Sequence, residues 1–287
     1  MARVLRISRA TVACVRVQWL LTGLAFHGML AAGSAPSQNA VLARAGAFVA
    51  RYTDELPRLV ATETLSQVLT THPDKPTGLS ITRLLVAEFA WVALPGEAEA
   101  IGFRDVIEVD GQPAGPERKR LVELLHGSGD ASWKQARAIL QEGARHNLAE
   151  GSRNFNLPTV AVFFLHPERQ ARFSWKRRSQ ASAPVWELEF RERDRSTLIR
   201  QGDGRPVFSR GRVWIEAATG AVLRTELELK FDQIAYMLTT RFERVAAMDL
   251  VLPTSLDERY TTHEEVVTGS ATYTNYRRFQ TGARLIR

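Results

Sequence analysis

The chain has 287 residues, of which 45% are hydrophobic, a formal net charge of +7 and one cysteine. This length can bury a sizeable core, and a single cysteine excludes an internal disulfide, so packing must hold the fold together. The basic excess does not predict nucleic-acid binding, because the densest basic stretch, RFSWKRR at residues 172–178, alternates like an ordinary strand with one solvated face.

The first 35 residues have the pattern of a secretory signal peptide. Four arginines precede an apolar run at residues 19–32, and the small residues Ala-Ala-Gly-Ser-Ala close the segment. We predict cleavage between residues 31 and 35. A membrane anchor is the alternative, but the run is shorter than the ~20 apolar residues of a span and contains His27.

Cleavage there changes both the charge and the cysteine content of the chain. It removes four arginines and no acidic residue, which lowers the net charge from +7 to +3, and it removes Cys14. A lipoprotein anchor would need a cysteine at the cleavage site. We therefore predict an exported, periplasmic protein of residues 36–287 that carries no lipid.

An amphipathic helix is predicted over residues 39–56, where the apolar positions recur at spacings of one, three and four. Strands are predicted at residues 59–70, 81–94 and 103–109 from their β-branched and apolar content or their alternation. Residues 116–125 and 131–148 have helical patterns, which predicts a helical insertion at residues 116–149.

After Pro158 the pattern is almost wholly that of a meandering antiparallel sheet. Residues 160–165 are apolar on both faces and predict a central strand. Further strands are predicted at residues 186–190, 236–244, 255–261 and 266–279. No repeat of fixed period is present, which argues against a propeller or a solenoid, and the whole pattern indicates one α+β domain.

The hairpin at residues 211–231 has the clearest pattern in the chain. Gly220, which can adopt a positive φ, lies in its turn. The second strand places Val222, Arg224, Glu226, Glu228 and Lys230 on a wetted face and Leu223, Thr225, Leu227, Leu229 and Phe231 on the other. Such alternation is typical of an antiparallel strand that covers something apolar.

No specific catalytic or metal-binding motif is found in the sequence. It has no nucleophile elbow, phosphate loop or His-Glu-x-x-His motif, and the five histidines after residue 35 are widely scattered. His263-Glu264-Glu265 and Asp203-Gly204 fit polar turns better than metal loops. We therefore expect no catalytic residue, metal or cofactor, with a hydrolase assembled from distant strands as an alternative.

A sheet with one apolar face must cover that face with other elements. We predict a strongly curved antiparallel sheet, a half-barrel, with the N-terminal helix and the helical insertion covering one face. If these helices leave a gap, an acyl chain or another hydrophobic ligand can bind there; if they fill it, the protein is a packed structural or protein-interaction module. The candidate ligand-binding residues on this face are Trp186, Leu188, Phe190, Leu227, Leu229, Phe231 and Tyr273.

The sequence resembles the LolA/LolB-type half-barrel superfamily of exported bacterial proteins. The resemblance lies in the signal peptide, the helix and a hairpin in which a Trp-bearing strand meets Thr-Gly and then an Arg-bearing strand: Trp214, Thr219, Gly220 and Arg224. It implies a non-enzymatic periplasmic carrier for a hydrophobic small molecule or a lipidated protein, with transient membrane contact and no nucleic acid. The helical segment 116–149 departs from the compact family pattern.

Overall fold

Eleven antiparallel strands form one continuous sheet in the computed structural model, which describes residues 35–73, 75, 77–93, 100–115, 138–139, 141–148 and 157–278. The strands are β1 (Leu59–Thr71), β2 (Ser80–Ala93), β3 (Ala100–Val109), β4 (Gln112–Pro113), β5 (Phe173–Arg177), β6 (Val185–Glu192), β9 (Ser209–Glu216), β10 (Val222–Phe231), β11 (Ile234–Val245), β12 (Leu250–Thr261) and β13 (Glu265–Arg278). A separate small hairpin is formed by β7 (Ile199–Arg200) and β8 (Pro206–Val207).

The strand order is β4-β3-β2-β1-β13-β12-β11-β10-β9-β6-β5. Most neighbours in space are neighbours in sequence, as expected for a meander, but β1 pairs with both β2 and the last strand, β13. Within the described residues the order ends at β4 on one side and at β5 on the other. The prediction of a mostly antiparallel sheet is therefore confirmed.

The N-terminal helix α1 (Gln38–Glu55) confirms the helix predicted at residues 39–56. Ser37 caps it, because its Oγ accepts a hydrogen bond of 3.2 Å from the Ala40 amide. The helix continues into a 3-10 turn, Leu56–Arg58, that contains Pro57 and leads into β1. No helix in the described part of the chain is long and apolar enough to cross a membrane.

The helix also protects the edge of the sheet at β5. The Gln38 side chain donates to the Trp175 carbonyl (3.1 Å) and accepts from the Arg177 amide (3.2 Å), as a neighbouring strand would. Further along the helix and away from this edge, Arg44 donates to the carbonyl of Ala217 in the β9–β10 turn at 2.7 Å. Edge groups satisfied in this way are less available for pairing with another chain.

The strand predicted at residues 160–165 is wrong. Residues 158–161 form turns. Val162–Leu165 then forms a 3-10 helix whose four side chains are all buried. Pro158 and Pro167 flank the run, and neither has a backbone N–H to donate to a neighbouring strand. Its apolar composition reflects burial, which does not distinguish a strand from a helical turn.

The alternation predicted for β10 fails at its first residues. Val222, placed by the pattern on the wetted face, is 1% exposed. The pairing with β9 shifts between Val222 and Arg224, and this β-bulge changes which residues face the core. From Thr225 onward the predicted alternation is confirmed. The turn is also as predicted, with Gly220 at φ 80°.

The helix predicted at residues 116–125 lies outside the described residues. Of the helix predicted at residues 131–148, residues 138–139 and 141–145 are helical, whereas residues 146–148 form a turn and a bend. A short helix, α2 (Pro167–Gln170), follows the 3-10 helix Val162–Leu165.

Candidate functional site

The seven residues predicted to line a ligand site all belong to the core side of the sheet. Six of them are at most 3% exposed, and Phe231 is half-buried. The chain's own aromatic residues pack over part of this face: Phe164 stacks on Phe173 at 4.8 Å between ring centroids and meets Phe190 edge-on at 5.6 Å. The 3-10 helix Val162–Leu165 therefore covers the β5–β6 end of this face.

The core side of β1, β3 and β13 contains a buried ion pair that the sequence analysis did not predict. Arg104 on β3 binds the carboxylate of Glu63 on β1 through two nitrogens, with Nη2 to Oε1 at 2.8 Å and a second contact from Nε to Oε2. Tyr273 on β13 donates its hydroxyl to the same Oε1 at 2.7 Å. Glu63 is fully buried and Arg104 is 7% exposed, so this bidentate pair lies out of water.

Burial and charge act in opposite directions on Arg104. Burial lowers its pKa, but the negative charge and hydrogen bonds of Glu63 raise it by more, so the net pKa lies above its ordinary value. For Tyr273, burial and the adjacent Glu63 carboxylate both raise the pKa well above 10.0. The guanidinium therefore stays charged and the phenol stays neutral across the ordinary pH range.

A second group of buried polar side chains is centred on Gln67. Its Nε2 donates to Glu258 Oε1 at 2.8 Å and to Asn147 Oδ1 at 3.1 Å, and its Oε1 accepts from the Leu148 amide at 3.0 Å. Tyr236 on β11 donates to Glu258 Oε2 at 2.8 Å. Gln67 thus joins the sheet to the segment at residues 141–148.

The strand register explains why these side chains meet. Glu63 pairs with Tyr273, and Gly269 lies between Gln67 on one side and Glu258 on the other. A Cβ on Gly269 would come within 2.6 Å of Glu258 Cγ, so the glycine leaves the space through which that carboxyl group passes. Polar residues on β1, β3, β11, β12 and β13 therefore share one side of the sheet.

One sequence signal could have revealed this polar group. Glu63 and Gln67 fall in phase with Ala61, Leu65 and Leu69 on the buried face of β1. A charged or amide side chain at a core-facing position needs a buried partner, and such a position is informative. The partners themselves lie 41 to 210 residues away and cannot be read from the local pattern.

The arrangement is suited to holding strands together rather than to chemistry. Both oxygens of Glu63 and both oxygens of Glu258 accept hydrogen bonds from neighbouring side chains. In the described part of the chain, no three His, Cys, Asp or Glu residues are grouped so that they could hold a metal ion. The buried carboxylates are therefore saturated by protein donors.

A cavity of about 610 Å3 lies between the second half of α1 and the ends of β10 to β13. Its apolar lining consists of Phe48, Tyr52, Ala221, Met248, Leu250 and Val251. Its charged lining consists of Arg51, Asp54, Glu55, Arg244, Asp249 and Arg278. None of the seven predicted ligand-binding residues lines this cavity.

The solved structures that match this chain include two bacterial proteins. The LolA superfamily protein NE2245 from Nitrosomonas europaea is 11% identical, with a TM-score of 0.30, and the match covers 86% of this chain and 94% of that chain. A putative outer membrane lipoprotein-sorting protein domain from Vibrio parahaemolyticus is 13% identical, with a TM-score of 0.38 and coverage of 84% and 92%.

The resemblance to the LolA superfamily that the sequence predicts is thus found again among solved structures. No protein-family model matches the sequence. No curated protein matches it. Because both TM-scores are low, the case for function rests on the chain's own residues.

Proposed function

We propose that the protein is a non-enzymatic periplasmic carrier or binding protein for a hydrophobic ligand such as a lipid, an acyl chain or a lipidated protein. The observation that carries this proposal is the cavity beside α1, whose volume lies within the roughly 300–1,000 Å3 range of ligand sites. Phe48, Tyr52 and Val251 offer it an apolar wall, and burying apolar surface contributes about 25 cal/mol per Å2 to binding.

The proposed fold is a half-barrel, and one short segment supports its curvature. Trp91 on β2 donates to Thr159 Oγ1 at 3.1 Å, while Phe164, five residues later, stacks on Phe173 of β5. Eight strand spacings separate β2 from β5, which is about 38 Å in a flat sheet. Residues 159–164 lie in turns and the 3-10 helix, whose rise is about 2 Å per residue, so they span only about 10 Å. A segment this short that touches both strands favours a bent sheet.

The proposed location rests on the N-terminal sequence. The basic head, the short apolar run and the small residues before residue 36 are those of a signal peptide. Residues 36–287 would then be the mature domain, with residues 116–149 as its insertion. Mass spectrometry of protein recovered from the periplasm should give the mass of a chain that begins between residues 32 and 36.

The seven residues of the apolar sheet face remain a proposal as ligand contacts. Trp186, Leu188 and Phe190 are fully buried in this structure. A ligand could reach Phe190 only if Phe164 of the 3-10 helix Val162–Leu165, which packs edge-on against it, moved away. The cavity beside α1 needs no such movement and is the primary site of the proposal.

Displacement of a fluorescent fatty acid from the purified protein tests the carrier function. Met248 lines the cavity and Met237 lies on the exposed side of β11, so Met248→Trp and Met237→Trp add the same bulk at different places. We expect Met248→Trp to weaken binding at least five-fold and Met237→Trp to leave it unchanged. Equal affinities in both variants, or no binding by the unaltered protein, would refute the proposal.

The packing over the apolar sheet face supports a second candidate, an envelope module that binds a protein and no lipid. The aromatic cluster of Phe164, Phe173 and Phe190 occupies volume that a ligand would need. This candidate predicts that protein from the periplasm carries no lipid in native mass spectrometry. It also predicts that cross-linking in intact cells recovers a specific partner.

A further inference from the structure

The charges around the cavity beside α1 are not all engaged with one another. Arg244 Nη1 lies 2.6 Å from Asp249 Oδ1, and Arg278 Nη1 lies 2.5 Å from Glu55 Oε2. Arg278 also donates to the Met248 carbonyl at 3.1 Å. These four charged side chains therefore neutralise one another in two pairs.

Arg51 and Asp54 are the remaining charged residues of the cavity lining. Both residues are exposed, and neither side chain forms a hydrogen bond or an ion pair within the described residues. They lie three positions apart on α1, a spacing that places their Cβ atoms about 5–6 Å from each other on the same face of a helix. The cavity thus has one available cation and one available anion side by side.

We propose that the ligand of this cavity is a single-chain amphiphile with a zwitterionic head group, which deepens the carrier function proposed above and rests on it. Arg51 pairs with the anionic group of the head, and Asp54 pairs with its cationic group. The chain lies against the apolar lining formed by Phe48, Tyr52 and Val251.

Charge and volume both favour this class of ligand. A purely anionic or purely cationic head would satisfy one of the two free charges and leave the other beside it unpaired, whereas a zwitterion pairs with both. A volume of about 610 Å3 is that of a pocket for one small ligand, so it accommodates one chain. Partly exposed pairs contribute little each, and the preference should weaken at high salt.

Binding of four probes with the same alkyl chain tests the proposal: a lysophosphatidylethanolamine, an alkyl phosphate, an alkylammonium and a neutral monoacylglycerol. The variants are Arg51→Gln and Asp54→Asn. The matched controls are Arg195→Gln and Asp257→Asn, which change exposed residues away from the cavity. Titration calorimetry at low and high salt measures the affinities.

We expect the zwitterionic probe to bind the unaltered protein most tightly. Arg51→Gln should weaken the zwitterion and the alkyl phosphate about two- to five-fold and spare the alkylammonium. Asp54→Asn should weaken the zwitterion and the alkylammonium and spare the alkyl phosphate. The two control variants should bind all four probes like the unaltered protein.

The outcomes separate this inference from the function on which it rests. If the neutral probe binds as tightly as the zwitterion, or if the two variants lack the crossed pattern, the head-group assignment is wrong and the carrier function stands. If none of the four probes binds, both are wrong.

Discussion

Gly269 on β13 and Glu258 on β12 are opposite each other in the sheet, and the glycine provides the space that the glutamate side chain crosses. Beyond Gly269 the carboxylate meets Gln67 at 2.8 Å, and its other oxygen accepts from Tyr236. A missing Cβ on one strand therefore allows a hydrogen-bonded connection from β11 through β12 to β1.

Gly269→Ala should destabilise the protein by about 1–3 kcal/mol, because the new methyl group displaces Glu258 from its partners and leaves buried polar groups unsatisfied. Chemical denaturation measures this change. Gly202→Ala is the control: a Cβ there meets nothing within 4 Å, and we expect a change within about 0.5 kcal/mol. Equal stability of the two variants would show that Glu258 relocates without loss.

Neutralising Glu63 should be one of the most destabilising changes to a polar residue of the core. Glu63→Gln removes the negative charge that the buried Arg104 guanidinium contacts through two nitrogens, and breaking a buried pair typically costs about 3–5 kcal/mol. The double variant Glu63→Leu/Arg104→Met should lose less than the sum of its two single variants, because it removes both charges of the pair together. Additive losses in this cycle would contradict the assigned coupling.

A surface pair provides the comparison for that cycle. Arg244 and Asp249 form an ion pair of similar length, but both are largely exposed to water. Asp249→Asn keeps a residue type that tolerates the positive φ of 52° at this position. We expect it to change the unfolding free energy by less than about 1 kcal/mol.

Most strands were predictable because one of their faces meets water. In β6 the buried Trp186, Leu188 and Phe190 alternate with less buried neighbours, and this period of two is visible without any knowledge of the fold. The 3-10 helix Val162–Leu165 was not predictable in this way, since all its side chains are buried and no wetted face reveals its period. The bulge at Val222 was also missed. It shifts the alternation of buried and exposed residues in β10 by one position.

The candidate site was less predictable than the sheet. The apolar face could be read from the alternation, but whether it holds free space depends on how Phe164 and Phe173 pack against it. The cavity beside α1 is formed where the helix approaches the β11–β12 turn, and Phe48 lies 200 positions before Met248 in the sequence. Such a gap is a property of tertiary packing, and no local spacing encodes it.

Tyr52→Phe should stabilise the protein at neutral pH, by about 1 kcal/mol. The Tyr52 hydroxyl is buried and has no hydrogen-bond partner in the described residues, so it loses its hydration without compensation. Tyr236→Phe is the matched control, since it removes a hydroxyl that donates to Glu258 and should destabilise. If both variants lose stability equally, the Tyr52 hydroxyl has a partner such as a bound water.

Alkaline pH should weaken the fold through its buried tyrosines. Burial raises the pKa of Tyr273 and of Tyr276 well above 10.0. Below about pH 10 both phenols are protonated in the folded and the unfolded chain; above it the unfolded chain releases protons that the folded chain retains, so stability falls as pH rises. Each tyrosine should contribute about 1.4 kcal/mol per pH unit to this slope.

Unfolding free energies between pH 9 and 11 should therefore decline less steeply in Tyr276→Phe than in the unaltered protein. Identical slopes would mean that Tyr276 titrates normally in the fold.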